Sequence, residues 1–201
     1  MSVEGAIGEV RLPPEPVTHR TRPPGVATRL WCGSVTFFFA SFLFAYVFLR
    51  SLDVHKDWVI GHVEPSGGLG VTVMALMVLS GIIWRIGHFR PVDTIATGVV
   101  AIVLGIVAVA LQILQYTTID FGGASGAYAS VFIGWTSTYI LGAIPGLYWI
   151  ETQLATLVRA RKREVSEADQ AVLRAGVEAS SFFWAYYAAI GVVTFIFLYV
   201  I

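Results

Sequence analysis

The chain has 201 residues, of which 56% are hydrophobic and 13% are charged, and its net charge at pH 7 is zero. Soluble domains carry about 25% charged residues, and a soluble core of this size cannot hide so much apolar surface. The composition therefore predicts an integral membrane protein. A net charge of zero gives no indication of a nucleic-acid-binding surface. The single cysteine, Cys32, excludes an intrachain disulfide.

The chain begins with a Pro-rich segment, residues 1–28, which precedes a predicted transmembrane domain, residues 29–201. Five of the eight prolines lie in the first segment, which lacks the early apolar stretch of a signal peptide. We predict that this segment is a cytoplasmic N-terminal arm, partly polyproline-like or disordered.

Five apolar segments follow, and a helix needs about 20 such residues to cross a bilayer. They cover residues 30–49, 69–84, 94–116, 127–150 and 179–201. The second is short and could extend back through Gly67, Gly68 and Gly70 or bring Arg85 to the interface. The predicted fold class is all-α, an integral membrane bundle of five transmembrane helices.

The basic residues predict the orientation, because cytoplasmic loops are enriched in Lys and Arg. With the N-terminus in the cytoplasm, eleven of the 13 basic residues lie inside, and Arg50 and Lys56 lie outside. We therefore predict a cytoplasmic N-terminus and an external C-terminus. In the inner loop, "SEAD" predicts a helix that begins after Ser166 and continues past Glu178 into the fifth segment.

No Asp, Glu, Lys, Arg or His lies within the five apolar segments. Charged side chains at membrane depth mark ion paths and proton relays, so their absence argues against a pump. A haem between helices needs an axial ligand such as His, so we expect this chain to have no redox centre and no catalytic or metal site. His55 and His62, with Asp53 or Asp57, could bind a metal in the outer loop, although an interfacial role is commoner for such histidines.

The third segment has polar side chains on one face. Gln112, Gln115 and Tyr116 lie at i, i+3 and i+4, and residues with this spacing are neighbours on a helix. We expect them to point into the bundle as a clamp between helices, with a solute site as the alternative.

The fourth segment has a row of six small residues spaced by four, which stack along one helix surface. The row is Gly126, Ser130, Gly134, Thr138, Gly142 and Gly146. Because small residues let another helix approach closely, this spacing favours helix packing over chance in a glycine-rich chain. Trp135, Thr136 and Tyr139 lie within the same segment and could line a groove for a lipid or a partner helix.

The fifth segment begins with aromatic residues. If Glu178 marks the inner membrane edge, Trp184, Tyr186 and Tyr187 lie deeper than the usual headgroup belt. These side chains predict either core packing or a groove for a lipid or a partner helix.

Four stretches resemble, in order and spacing, the motifs of one known family. They are "SVTFFFASFLFAY", "LGIVAVALQILQY", "SGAYASVFIGWTSTYILG" and "VEASSFFWAYYAAIGVVTFIFLYVI". The chain from about residue 30 to 201 resembles subunit III of haem–copper cytochrome c oxidases, in the five-helix bacterial form. Gln112, Tyr116 and Glu178 stand where the family motifs have the same residues.

The departures from the family pattern share one property, because each replaces an ionisable group within the membrane by an uncharged one. The replacing residues are Val35, Gln115, Thr136, Tyr139, Ala185 and Ala188. The glycines and aromatic residues of the family pattern are therefore retained, whereas the ionisable groups are not. The resemblance gives no support to a role in proton uptake.

The resemblance implies a non-catalytic subunit of an aerobic respiratory oxidase in the bacterial plasma membrane. In the family this subunit packs on the catalytic subunit I, stabilises it and holds phospholipid, while haem and copper lie in that partner. We expect the same cofactors in the partner here, with subunit I, other oxidase subunits and membrane lipids as the contacts. The alternatives are a similar protein associated with nitric oxide reductase, a membrane assembly factor or a small solute carrier.

Overall fold

The computed structural model describes residues 16–53, 58, 64–89 and 93–201. In that part of the chain, five α-helices and a terminal π-helix follow one another. They are α1 (Val17–Ser51), α2 (Gly67–Phe89), α3 (Thr94–Thr118), α4 (Ala127–Arg161), α5 (Glu167–Phe195) and the π-helix (Ile196–Val200). Five helices are long and apolar enough to cross a membrane, α5 being counted together with the π-helix. The predicted fold class is confirmed.

Two helix starts agree with the sequence patterns. Helix α2 begins at Gly67 and has 23 residues, so the short second segment extends back through its glycines. At 1.5 Å per residue α2 is about 34 Å long, enough to cross the hydrocarbon core. Helix α5 follows Ser166, whose hydroxyl accepts a hydrogen bond from the Asp169 backbone N–H at 3.2 Å, as predicted for the N-cap.

Helix α1 begins earlier than predicted. Residues 17–28 were expected to be partly polyproline-like or disordered, but α1 includes them, with Pro23 and Pro24 inside the helix. Each proline removes one backbone donor, and the segment is helical nevertheless, with two side-chain contacts of its own. Arg20 forms an ion pair with Asp169 of α5 at 2.8 Å, and the buried Thr28 donates to the Pro24 carbonyl at 2.7 Å. Residues 1–15 of the predicted arm lie outside the described part.

Helices α4 and α5 each contact three other helices. Helix α5 contacts α1, α2 and α4, and α4 contacts α1, α3 and α5, while α3 also packs on α2. The three largest fully buried side chains are the indoles of Trp84, Trp135 and Trp184. Between α3 and α4 the chain turns at Gly126, whose φ of 152° suits glycine and few other residues. The core is thus aromatic, and α5 brings three other helices to it.

Candidate functional site

The two glutamine amides of α3 lie inside the bundle and join three parts of the chain. Gln115 is fully buried and Gln112 is 4% exposed. The Gln115 Oε1 accepts hydrogen bonds from the Gln112 amide at 3.0 Å and from the Tyr199 hydroxyl at 2.8 Å. Its Nε2 donates to the Ser66 carbonyl at 3.1 Å. These bonds tie α3 to the start of α2 and to the π-helix.

The third polar residue of this face connects α3 to α4. The Tyr116 hydroxyl donates to the Thr136 Oγ1 at 2.8 Å, and Thr136 in turn donates to the Phe132 carbonyl at 2.6 Å. Gln112, Thr136, Tyr139 and Tyr199 also line a cavity of about 30 Å³. A cavity of this volume has room for water, but not for a larger solute.

Two tyrosines, one on α4 and one on α5, join these helices by a pair of hydrogen bonds. The Tyr187 hydroxyl donates to the Tyr139 carbonyl at 2.6 Å, and the Tyr139 hydroxyl donates to the Tyr187 carbonyl at 3.3 Å. The rings are stacked, with centroids 4.9 Å apart and planes 9° from parallel. Each helix therefore donates one hydrogen bond from a tyrosine hydroxyl and accepts one at a backbone carbonyl.

Glycines make room for these aromatic side chains. A Cβ at Gly142 of α4 would collide with the Tyr187 hydroxyl, and a Cβ at Gly191 of α5 would collide with that of Tyr139. One turn further along α4, a Cβ at Gly146 would lie 2.6 Å from the Trp184 ring. Because a contact under 3.0 Å requires movement, these glycines are needed for the approach of α4 and α5.

A second reciprocal pair of hydrogen bonds joins α2 to α5. The Trp184 indole donates to the Ser80 hydroxyl at 2.8 Å, and the Trp84 indole donates to the Ser180 hydroxyl at 3.2 Å. All four side chains are buried. The sequence analysis missed this site, although both helices carry the same Ser-x-x-x-Trp pattern, "SGIIW" and "SSFFW". That repeat is the signal that could have found it.

The row of small residues on α4 divides into two parts. Gly142 and Gly146 contact the α5 aromatics, whereas the nearest atom to a Cβ at Gly134 is in Phe42 at 3.6 Å, an ordinary contact. Ser130 is exposed and its hydroxyl donates to the Gly126 carbonyl at 2.9 Å. Thr138 likewise donates within its own helix, to the Gly134 carbonyl at 2.7 Å. The close approach thus involves side chains of α5 at the C-terminal part of the row, Gly142 and Gly146.

The candidate groove residues mostly belong to the core. The side chains that are 5% exposed or less are Trp135, Thr136, Tyr139, Trp184 and Tyr187. Side chains buried so fully do not line a groove that is open to lipid. Tyr186 is half-buried, and its hydroxyl shares a hydrogen bond with that of Thr36 in α1.

Trp135 differs from the other two buried indoles. Its ring lies between Phe42 of α1 and Phe197 of the π-helix, with centroid distances of 6.1 Å and 6.4 Å. Its Nε1 has no acceptor among the described residues. Within the described part of the chain, Trp135 therefore contributes to packing by its ring alone.

Glu178 lies at the end of the bundle where α5 leaves the core. Its side chain is exposed and lines a small cavity of about 90 Å³ together with Arg29. The Arg85 guanidinium donates to the Ser181 hydroxyl at 3.0 Å close by. Of the outer-loop metal candidates, His55, Asp57 and His62 lie outside the described residues. Within the described ranges no three His, Cys, Asp or Glu side chains are grouped as metal ligands would be.

The fold and these contacts define a multi-pass membrane bundle whose buried polar groups mostly bond one helix to another. No family model matches the chain, and no curated protein matches it.

Proposed function

We propose that this chain is a non-catalytic subunit of a bacterial respiratory oxidase, similar to subunit III of haem–copper cytochrome c oxidases. Its part is to pack on the catalytic subunit, to stabilise it and to hold lipid. The proposal rests on the four ordered motifs, and one structural observation supports it: side chains from all four meet in a single core. Phe39 of the first motif contacts the stacked rings of Tyr139 and Tyr187, and Tyr116 bonds Thr136.

The buried polar groups favour a scaffold over a proton-handling part. Gln115 and Thr136 occupy positions at which the similar family has ionisable side chains, and here both are buried in hydrogen bonds between neutral groups. Neither an amide nor a hydroxyl of threonine titrates near neutral pH. The partner subunit would supply haem and copper, and this chain would form no bond with substrate.

The outer face of α1 supports an assembly role. Phe37 is 82% exposed and Phe44 is 70% exposed, so these large rings contact lipid or another membrane subunit. Membrane helices associate by packing rather than by the hydrophobic effect, and this aromatic surface is free for such packing. With the predicted orientation, the complex would lie in the plasma membrane with the N-terminus of this chain in the cytoplasm.

The second candidate is a similar subunit associated with nitric oxide reductase. The observation in its favour is the replacement of all the ionisable membrane positions of the oxidase pattern, which marks a divergent branch. A membrane assembly factor and a small solute carrier are the remaining candidates. The cavity of about 30 Å³ within the core has room for water only, so the core itself provides no solute site.

Purification of the tagged, full-length chain from its native membrane in a mild detergent tests these alternatives. We expect a large subunit that contains haem and copper to co-purify, identified by its optical spectrum and metal content. Haem together with non-haem iron would support the nitric oxide reductase branch instead. A colourless protein without partners would contradict both, provided that the tagged chain is folded, as judged by a cooperative thermal transition.

A further inference from the structure

Two cavities adjoin at the end of the bundle where α2 and α4 finish and α3 and α5 begin. Their volumes are about 500 Å³ and about 270 Å³. We treat them as one site, the end cleft, because they share the lining residues Thr94, Leu157, Gln170 and Leu173. The lining residues from α4 and α5 lie beyond the predicted membrane spans 127–150 and 179–201. A hydrophilic stretch of chain can therefore enter the cleft from the aqueous phase.

The end cleft combines apolar side chains with two arginines that the described chain does not neutralise. Leu157, Leu173 and Val177 form the apolar part. Arg174 lines the larger cavity and Arg163 the smaller one, and neither forms an ion pair within the described part of the chain. Because a guanidinium group pairs well with a carboxylate, this composition suits a stretch of chain with both aliphatic side chains and an acid.

The described part of the chain begins beside this cleft. Helix α1 follows Pro16, and near its start Arg20 forms an ion pair with Asp169 at 2.8 Å. Asp169 precedes Gln170, which lines both cavities. Residues 1–15 therefore join the described chain at the same end of the bundle as the cleft. Extended, they span up to about 50 Å, several times the width of a helix, about 10–12 Å, which is enough to reach the cleft.

The amino-acid sequence of residues 1–15 complements the lining of the end cleft. The segment has three acids and one basic residue, a side-chain charge of −3 + 1 = −2, and these residues are Glu4, Glu9, Glu15 and Arg11. Glu9 lies within "AIGEVRL", residues 6–12, and has aliphatic side chains on both sides, whereas Glu15 lies between two prolines. Residues 6–12 thus offer the acid and the apolar surface that the cleft lacks.

We propose that residues 6–12 dock in the end cleft of the same chain, with the Glu9 carboxylate on the Arg174 guanidinium. The aliphatic side chains of the segment cover Leu157 and Leu173, and Arg163 adds positive charge. Docking joins the segment before α1 to α4 and α5, in addition to the ion pair of Arg20. The contact requires no partner subunit. It also forms whichever side of the membrane this end of the bundle faces.

Cysteine crosslinking in the folded, full-length chain tests the docking. The only native cysteine, Cys32, is buried. Val10→Cys with Gln170→Cys places one thiol in the segment and one at an exposed position of the cleft. We expect a short bismaleimide to link them within one chain, as shown by intact mass and by peptide mapping.

A second cysteine pair is the matched control. Val10→Cys with Arg159→Cys keeps the thiol of the segment but places the other on α4, exposed at the same end and lining neither cavity. This pair should react at least about tenfold more slowly. Equal rates for the two pairs would overturn the docking. A crosslink between two chains, at twice the mass, would assign the cleft to the segment of a second copy and overturn the intramolecular contact.

Charge variants in the first cysteine pair locate the contact within the cleft. Glu9→Gln should slow the crosslinking by about threefold to fivefold, the range of a weak, exposed ion pair. Glu4→Gln removes the same charge outside residues 6–12 and should leave the rate unchanged. Glu9→Arg together with Arg174→Glu should restore the rate that either reversal alone lowers. Equal losses in Glu9→Gln and Glu4→Gln, or no restoration, would overturn the pairing of Glu9 with Arg174.

The crosslinking test and the co-purification test fail independently. A chain that co-purifies with haem and copper but crosslinks no faster than the control pair would overturn the docking alone. A chain that crosslinks as expected but has no oxidase partner would overturn the proposed function alone.

Discussion

Helices α1 and α4 have the same length, 35 residues, and both are apolar enough to cross a membrane, but they use their side chains differently. Half of the most apolar stretch of α4 is buried, against 17% of that of α1. On α1, Ser34 and Ser41 bond carbonyls of their own helix. On α4, Tyr139 exchanges hydroxyl bonds with Tyr187 of α5.

The difference shows what holds the bundle together. A hydroxyl that bonds its own helix satisfies a polar group but attaches the helix to nothing, which suits a surface that faces lipid or a partner. A hydroxyl that crosses to the next helix, through the space that a glycine leaves, fixes the distance and the register of the pair. The α4–α5 contact has this second arrangement, and the outer face of α1 has the first.

The largest effect should come from filling a glycine position of the α4–α5 contact. Gly146→Leu places a side chain where even a Cβ would be 2.6 Å from the Trp184 ring. Overpacking of a core costs about 1–3 kcal/mol, and more where neighbours cannot move, and Trp184 is fully buried. We expect a loss at the upper end of that range, or no folded protein, measured by thermal unfolding in detergent.

Gly134→Leu is the matched control, because it introduces the same side chain into the same row of α4. The nearest atom to a Cβ there belongs to Phe42, at 3.6 Å, and no other atom of the described residues outside the helix backbone nearby comes within 4 Å of it. If both variants lose the same stability, the division of the row into a packed and an open part is wrong.

Removal of one hydroxyl from the tyrosine pair should have a smaller effect. Tyr187→Phe keeps the stacked ring but removes the bond to the Tyr139 carbonyl, so it should cost about 0.6–1.5 kcal/mol. Tyr139→Phe should cost less, because its bond is longer, 3.3 Å against 2.6 Å. Tyr148→Phe on the exposed side of α4 serves as the control. If Tyr187→Phe is as stable as this control, the hydrogen bond from the Tyr187 hydroxyl contributes nothing to the stability of the fold.

The sequence predicted the helices well, because each is a run of apolar residues that has few other stable arrangements in a bilayer. It failed at the start of α1, where Pro23 and Pro24 suggest a non-helical segment and Arg20 pairs with Asp169, a residue 149 positions away. Periodicity placed Gln112 and Gln115 on one face, but it could not identify Tyr199 as their partner. The bonds from Trp84 to Ser180 and from Trp184 to Ser80 likewise required the knowledge that α2 and α5 are adjacent, which no local pattern provides.

On the outer face of α1, substitution should barely affect the stability of the isolated chain. Phe44→Ala removes a ring that is 70% exposed, and substitutions at such surfaces usually change stability by no more than about 0.5 kcal/mol. The same variant should weaken the co-purification of a partner if this face packs on another subunit. A loss of stability as large as that of Gly146→Leu would show that the ring supports the fold itself.

The smallest effect should come from the ion pair at the C-terminal end of α4, beyond the predicted membrane-spanning segments. The Arg161 guanidinium, followed by the Ile95 backbone N–H, lowers the pKa of the Asp93 carboxyl. Because the pKa is lower in the folded chain than in the unfolded one, the pair stabilises the fold above the unfolded pKa of about 4. That contribution is lost as the pH falls through the folded pKa.

Asp93→Asn isolates this charge, because asparagine caps a helix as well as aspartate does. The thermal midpoint of the variant should lie slightly below that of the parent chain at pH 7, and the gap should close as the pH falls below 4. Asp120→Asn, at an exposed acid without an ion pair among the described residues, should show no such gap. A gap for Asp93→Asn that persists at low pH would mean that capping, and not the ion pair with Arg161, is what the aspartate provides.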